Sequence, residues 1–97
     1  MEDRIYLINL YDYYGDLLTE KQQLYFEDYY FNNLSLQEIS ELYDISRNAV
    51  HKQLKDVVDN LNFYEEKLEL YSKKLKLKKI IYKIDDEKLK EKLEALL

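Results

Sequence analysis

A group of cationic and hydrogen-bonding side chains follows Ser46 in the sequence. Arginine and lysine neutralise phosphates, whereas asparagine and histidine can form hydrogen bonds with base edges. The segment therefore predicts a nucleic-acid-binding face that consists of Ser46, Arg47, Asn48, His51, Lys52 and Lys55. The alternative is that Ser46 only caps a helix and that the other side chains form an ordinary solvated helix face.

Catalysis and metal binding have little support in the sequence. His51 is the only histidine and there is no cysteine, so the usual nitrogen and sulfur ligands of a metal site are missing. No carboxylates form a recognisable acid/base pair, and the single glycine rules out a glycine-rich phosphate loop. The eleven tyrosines suit a core or an interface. We therefore expect a protein with no catalytic residues, no metal and no cofactor.

All side chains of the predicted nucleic-acid-binding face except Lys55 lie in residues 35–54, a segment whose pattern is typical of a helix-turn-helix. Ser35 and Glu38 predict a capping box. The apolar face of the first helix is formed by Leu36, Ile39, Leu42 and Tyr43, and that of the second by Ala49, Val50 and Leu54. Asp44 suits the turn because aspartate enters the left-handed region more readily than most residues. In such a motif the second helix lies in a major groove.

The remaining pattern predicts further helices. A first helix over 4–14 ends at Gly15, whose tolerance of positive φ suits a C′ position. Thr19 caps a second helix that runs to about Asn32. The fourth helix starts at Arg47 and meets no helix breaker for about thirty residues, and Asp85 or Asp86 caps a last helix. We expect two continuous regions, 1–62 with the helix-turn-helix and 63–97 with a helical arm and a C-terminal helix.

The fourth helix carries apolar residues spaced alternately by four and three, from Val50 to Leu75. Such spacing is typical of a coiled-coil seam. It predicts a dimer or partner interface that consists of Val57, Leu61, Tyr64, Leu68, Tyr71 and Leu75. Alternatively, the first half packs on the preceding helices and the second half on the C-terminal helix, whose apolar edge contains Leu89, Leu93, Leu96 and Leu97.

Charge is distributed unevenly. The net charge is −5, yet residues 71–84 contain six lysines and no acid. This second basic patch, formed by Lys73, Lys74, Lys76, Lys78, Lys79 and Lys83, can follow an RNA or an anionic protein surface. A solvated face balanced by Glu65, Glu66, Glu87 and Glu91 is the alternative. A dedicated DNA-binding protein would present a more basic recognition helix, because Asp56 and Asp59 adjoin this one.

Composition indicates one small soluble protein. One glycine, no proline and 36% charged residues in 97 favour amphipathic helices. The absence of cysteine suits the cytoplasm. No apolar run approaches the roughly 20 residues of a membrane span, and the N-terminus lacks the features of a signal peptide. We expect a cytoplasmic protein that does not insert into membranes.

Residues 10–75 resemble the YlxM family of small bacterial proteins, which are usually encoded beside the signal recognition particle GTPase. The resemblance rests on four blocks, residues 11–22, 29–30, 34–39 and 45–50, which read YDYYGDLLTEKQ, YY, LSLQEI and ISRNAV. More distantly, residues 19–58 are similar to region 4 of bacterial sigma factors. The resemblance implies an all-α, sigma-region-4-like bundle with a long fourth helix and a short C-terminal helix.

Two functional hypotheses follow from the resemblance. The first is a non-enzymatic regulatory or accessory protein of the signal recognition particle pathway, a homodimer that binds the particle GTPase, its RNA or both. The second is a transcriptional regulator that binds duplex DNA through the same helix-turn-helix.

Overall fold

The computed structural model describes residues 3–97, and these fold into six α-helices without a β-strand. The helices are α1 (Arg4–Tyr14), α2 (Glu20–Phe26), α3 (Leu36–Tyr43), α4 (Arg47–Leu68), α5 (Leu70–Tyr82) and α6 (Glu87–Glu94). A 3₁₀ turn, Gly15–Leu17, follows α1, and a π-helical segment, Glu27–Phe31, extends α2. The expected all-α fold with a long fourth helix and a short C-terminal helix is confirmed.

The helices begin where the sequence places their caps. Thr19 with Gln22, and Ser35 with Glu38, form complete capping boxes. The Asp86 side chain accepts a hydrogen bond from the Leu89 amide at the start of α6. Each cap satisfies an amide that the helix itself leaves without a partner, typically worth about 1 kcal/mol.

Helix α4 runs through the centre of the structure and packs on α1, α2 and α3. The fully buried side chains are Leu7, Leu10, Tyr14, Phe26, Ile39, Val50, Leu54, Val57 and Leu61. Burying a side chain such as Leu54 contributes about 1.5–3 kcal/mol. The core therefore holds the helix-turn-helix through the inner face of α4. The outer side of the first turns of α4 stays exposed to solvent.

Gly15 differs from the expectation. Its φ of −56° lies in the right-handed region, so it is not a left-handed helix end. Space is tight at this position instead: a Cβ would lie 3.0 Å from the ring of Tyr11, closer than an ordinary van der Waals contact. That ring stacks on Phe26 with a centroid distance of 4.3 Å and cannot move freely.

The continuous thirty-residue fourth helix is also corrected. α4 ends at Leu68, and Glu69 takes a left-handed conformation with φ 54° and ψ 28° before α5 begins. The Glu65 carboxylate accepts hydrogen bonds from the amides of Tyr71 and Ser72, and the Tyr14 hydroxyl accepts one from Leu70. These side chains satisfy the first amides of α5 and thereby make a new helix start possible.

The bend at Glu69 divides the apolar stripe, from Val57 to Leu75, that the sequence predicts to form an interface. Val57 and Leu61 are fully buried in the chain's own core, so they cannot form an interface between chains. Tyr64 and Tyr71 are half-buried and pack against the same core. Leu68 and Leu75 remain 46% and 42% exposed. The stripe is thus mainly an intramolecular feature, because α5 folds onto α1 and α6 folds onto α5.

Within residues 3–97, no helix is both long and apolar enough to cross a membrane.

Candidate nucleic-acid interface

The turn between α3 and α4 has the geometry that the sequence predicts. Asp44 lies in the left-handed region with φ 54° and ψ 49°. The Ile45 amide donates a hydrogen bond of 3.0 Å to the Ser40 carbonyl, which closes the turn. The Ser46 hydroxyl then accepts a hydrogen bond from the Ala49 amide at 3.0 Å. Ser46 is therefore a helix cap, and its hydroxyl oxygen already accepts one hydrogen bond from the backbone.

Ser40 makes the close crossing of α3 possible. It is buried, and its small hydroxyl donates a hydrogen bond of 2.7 Å to the Gln37 carbonyl. Tyr43 fixes the end of the same helix, since its hydroxyl donates a hydrogen bond of 2.6 Å to Asp28. This hydrogen bond and burial raise the pKa of Tyr43 to about 12. The hydroxyl therefore remains a donor at neutral pH.

The first two turns of α4 present three polar side chains to solvent. Arg47, Asn48 and His51 are exposed and, together with Leu36, line a shallow groove between α3 and α4. Within residues 3–97, the side chains of these three polar residues form no hydrogen bond or ion pair. They are available to an external ligand, with the charge and hydrogen-bonding groups that phosphates and bases require.

The two lysines farther along α4 are exposed but paired. Lys52 forms an ion pair of 3.0 Å with Asp56, and Lys55 one of 3.2 Å with Asp59. Exposed pairs at this spacing contribute only about 0.3–0.5 kcal/mol, so a stronger anion can replace the carboxylate. We call the exposed side chains of Arg47, Asn48, His51, Lys52 and Lys55 the α4 face. The pairs neutralise two of its three cations, and Arg47 is its only cation without a carboxylate partner in the described chain.

The second basic patch lies on α5 and at its C-terminal end. All its lysines except Lys74 are exposed, and Lys74 is half-buried. Lys74 lies over the Tyr13 ring, with 5.6 Å from its ammonium nitrogen to the centroid. Glu65 does not balance the patch, because its carboxylate is buried and accepts hydrogen bonds from the backbone of α5. The ion pairs of the described chain do not include any of these lysines.

Sequence reasoning missed the contacts of Arg4 and Asn33 that hold the motif in place. The Arg4 guanidinium donates hydrogen bonds of 2.8 Å to the carbonyls of Tyr29 and Tyr30 and another to Asn33. Asn33 has a left-handed φ of 57° just before α3. Arg4 therefore connects α1 to the segment that sets the start of α3. No local pattern indicates this contact, since its partners lie 25 to 29 residues away.

Comparison with known proteins agrees with this geometry. The model of the family UPF0122, described as "Putative helix-turn-helix protein, YlxM / p13 like", matches residues 1–96. The chain belongs to the UPF0122 family. The match covers nearly the whole sequence, including the residues of this chain that form α5 and α6 as well as those of the helix-turn-helix. The description of UPF0122 is thus that of a helix-turn-helix family.

Several UPF0122 proteins are similar over most of their length. A UPF0122 protein of Caldanaerobacter subterraneus subsp. tengcongensis is 51% identical over 85 residues, which cover 88% of this chain and 73% of that protein. One of Thermoanaerobacter sp. is 45% identical over 95 residues, covering 98% and 77%. One of Ureaplasma parvum serovar 3 is 45% identical over 93 residues, covering 96% and 94%.

Proposed function

We propose that this UPF0122 protein is a non-enzymatic accessory protein of the signal recognition particle pathway that binds nucleic acid through the first turns of α4. The observation that carries the binding proposal is the unpaired, exposed set Arg47, Asn48 and His51 on the second helix of a helix-turn-helix. The pathway itself comes from the YlxM resemblance, which associates the family with the particle GTPase.

The charge of the protein suits a ligand within a larger assembly. Residues 1–69 contain six lysines and arginines against fifteen acids, so their net charge opposes phosphate binding at a distance. A face with Arg47 as its unpaired cation releases few counterions and gives weak affinity for free duplex. In a ribonucleoprotein, contacts with the protein component add to this weak binding. The GTPase and the RNA are therefore the partners we propose, and the cytoplasm is the compartment in which they would meet.

The experiment compares three ligands under identical conditions. The purified protein is titrated against signal recognition particle RNA, the particle GTPase and duplex DNA at several salt concentrations. The proposal predicts binding to the RNA or the RNA–GTPase complex, with affinity reduced about tenfold by the combined change Arg47→Ala and His51→Ala. Lys21→Ala and Lys67→Ala together are a control, because both lysines lie outside the α4 face. Equal losses of affinity in the two double variants would show that the α4 face is not the binding site.

A transcriptional regulator is the second candidate. Asn48 and His51 favour it, because they lie on the solvent side of a second helix that could enter a major groove. It predicts sequence-selective duplex binding that is lost in Arg47→Ala or Lys52→Ala, and that outcome would rule out the accessory role. Binding to the GTPase that these changes leave intact would rule out the regulator.

We also propose that the protein forms a homodimer through the part of the stripe that stays exposed. Leu68 and Leu75 remain accessible on either side of the bend at Glu69. The changes Leu68→Asp and Leu75→Asp should convert the dimer to a monomer in sedimentation experiments without unfolding it. Leu61→Asp is unsuitable, since Leu61 is in the core. A wild-type protein that sediments as a monomer at high concentration would contradict the proposal.

A further inference from the structure

A cleft between α5 and α6 gathers lysines from two consecutive helices that pack against each other. Lys74 and Lys78 from α5 line it together with Lys90 from α6. An adjoining depression shares Lys74 and Lys78 and extends to Tyr13 on α1. The fold thus brings three ammonium groups to one place.

Two of these lysines lie over aromatic rings. Lys74 is 5.6 Å from the centroid of Tyr13, and Lys90 is 5.5 Å from that of Tyr82. Tyr82 is 81% exposed, so one face of its ring is open to a planar ligand. An exposed ring beside ammonium groups is the arrangement with which proteins stack a base and neutralise the phosphate next to it.

The surrounding charge favours a polyanion. Residues 70–97 contain nine lysines against five acids, in contrast to the acidic remainder of the chain. Glu94 also lines the cleft and Asp12 lines the adjoining depression, but neither acid forms an ion pair with the lysines in the described chain. An anionic strand is therefore attracted to this end of the molecule and repelled by the rest of it.

We propose that this cleft binds single-stranded nucleic acid, with Lys74, Lys78 and Lys90 on phosphates and Tyr82 stacked against a base. The site is separate from the α4 face and does not depend on it. A duplex does not fit this arrangement as well, because its bases are already stacked on each other and cannot cover Tyr82. An acidic protein would use the lysines but would not need the ring.

The test measures fluorescence anisotropy of labelled single strands, one a uridine oligoribonucleotide and one a thymidine oligodeoxyribonucleotide. The wild-type protein should bind at least one of them, and the two arms identify the sugar that is preferred. Lys74→Ala, Lys78→Ala and Lys90→Ala together should weaken binding at least about tenfold and lower its salt dependence. The control changes three lysines outside the cleft, on α5 and at its C-terminal end: Lys76→Ala, Lys79→Ala and Lys83→Ala. This triple variant loses the same charge and should show less than about a third of that effect.

The ring is tested separately. Tyr82→Ala should weaken binding at least about fivefold, whereas Tyr82→Phe keeps the ring and should bind like the wild type. Circular dichroism confirms that each variant remains folded. Three results would overturn the proposal: no binding to either strand, equal losses in the two triple variants, or binding of polyglutamate that equals that of the strands and is unchanged in Tyr82→Ala. If only the changes in the α4 face abolish binding, the strands bind there and not in the cleft, and this result would also overturn the proposal.

Discussion

The Tyr14 hydroxyl donates a hydrogen bond of 2.6 Å to Glu65, although 51 residues separate the two in the sequence. The same hydroxyl accepts a hydrogen bond of 3.0 Å from the Leu70 amide, while Glu65 accepts two more from the amides that follow. One side chain from α1 and one from α4 thus cap α5. This pair sets the direction in which the α5–α6 segment leaves the helix-turn-helix, and so places the two basic surfaces relative to each other.

Removing the Tyr14 hydroxyl should destabilise the protein. Tyr14→Phe leaves the Leu70 amide without its partner and removes one of the two hydrogen bonds that Glu65 Oε1 accepts, and we expect a loss of about 1–3 kcal/mol in the free energy of unfolding. Denaturant unfolding measures it. Tyr13→Phe is the matched control, because Tyr13 interacts through its ring, and it should cost less than about 0.5 kcal/mol. Equal losses in the two variants would show that the hydroxyl pair does not hold the bend.

Alkaline pH should destabilise the fold through three tyrosines whose pKa is raised in the folded state. Burial, then the hydrogen bond to Glu65, raises the pKa of Tyr14 from 10.0 to about 12. Tyr11 and Tyr43 shift in the same direction to about 12. Because the folded state holds these protons more tightly, their stabilisation is complete below pH 10 and is lost as the pH rises towards 12.

The free energy of unfolding, measured across that pH range, should therefore fall, and Tyr14→Phe should fall less steeply than the wild type. A stability that stays constant between pH 10 and 12 would contradict the assignment of these protons.

Two left-handed positions should accept glycine with a gain in stability. Asp44 and Glu69 both have a φ of 54°. Glycine removes the steric cost of that conformation, about 1 kcal/mol, and the gain should be larger at Glu69 because aspartate tolerates the left-handed region better than glutamate. Thermal and denaturant unfolding measure the effect. Glu66→Gly, within α4, should instead lose about 1 kcal/mol. A loss at Glu69 equal to that at Glu66 would argue against the bend.

Gly15→Ala should destabilise the protein even though alanine favours helical backbone. The added methyl group would press on the Tyr11 ring, which is held between Phe26 and Phe31, and we expect a cost of about 1 kcal/mol. A double-mutant cycle isolates the cause. In a Tyr11→Ala background the same change should become neutral or stabilising, because the obstacle is gone. An unchanged cost in that background would place the strain elsewhere.

Removing the ion-pair partner of Lys52 should strengthen the binding of nucleic acid to the α4 face. Asp56→Asn removes the carboxylate partner of Lys52, and affinity for the nucleic-acid ligand should rise about two- to fivefold at low salt, with a smaller gain at high salt. Asp16→Asn changes the net charge equally but lies outside α4, so it serves as the control. A similar gain in both variants would indicate a general charge effect with no role for the α4 face.

The sequence predicts those features whose causes are local. The capping box of Ser35 and Glu38, the left-handed Asp44 and the buried face of Val50 and Leu54 all depend on residues within a few positions of one another. Their outcome follows from capping rules and helical spacing.

The features that sequence reasoning missed depend on distant partners. The bend at Glu69 exists because Tyr14, on another helix, accepts a hydrogen bond from the Leu70 amide and donates one to Glu65, which satisfies the next two amides. The apolar spacing continues through the bend and gives no sign of it. Lys90 joins the cleft only because α6 folds back on α5. Heptad spacing reports which side of a helix is apolar, but it does not report where the helix ends or which chain covers it.

The most direct test of the α4 face follows the backbone amide signals of isotope-labelled protein by NMR during titration with signal recognition particle RNA. We expect the amide signals of residues 46–52 to shift, and we expect Arg47→Ala with His51→Ala to abolish these shifts without changing the spectrum of the free protein elsewhere. Saturating RNA that leaves residues 46–52 unshifted, with changes confined to other parts of the chain, would contradict it.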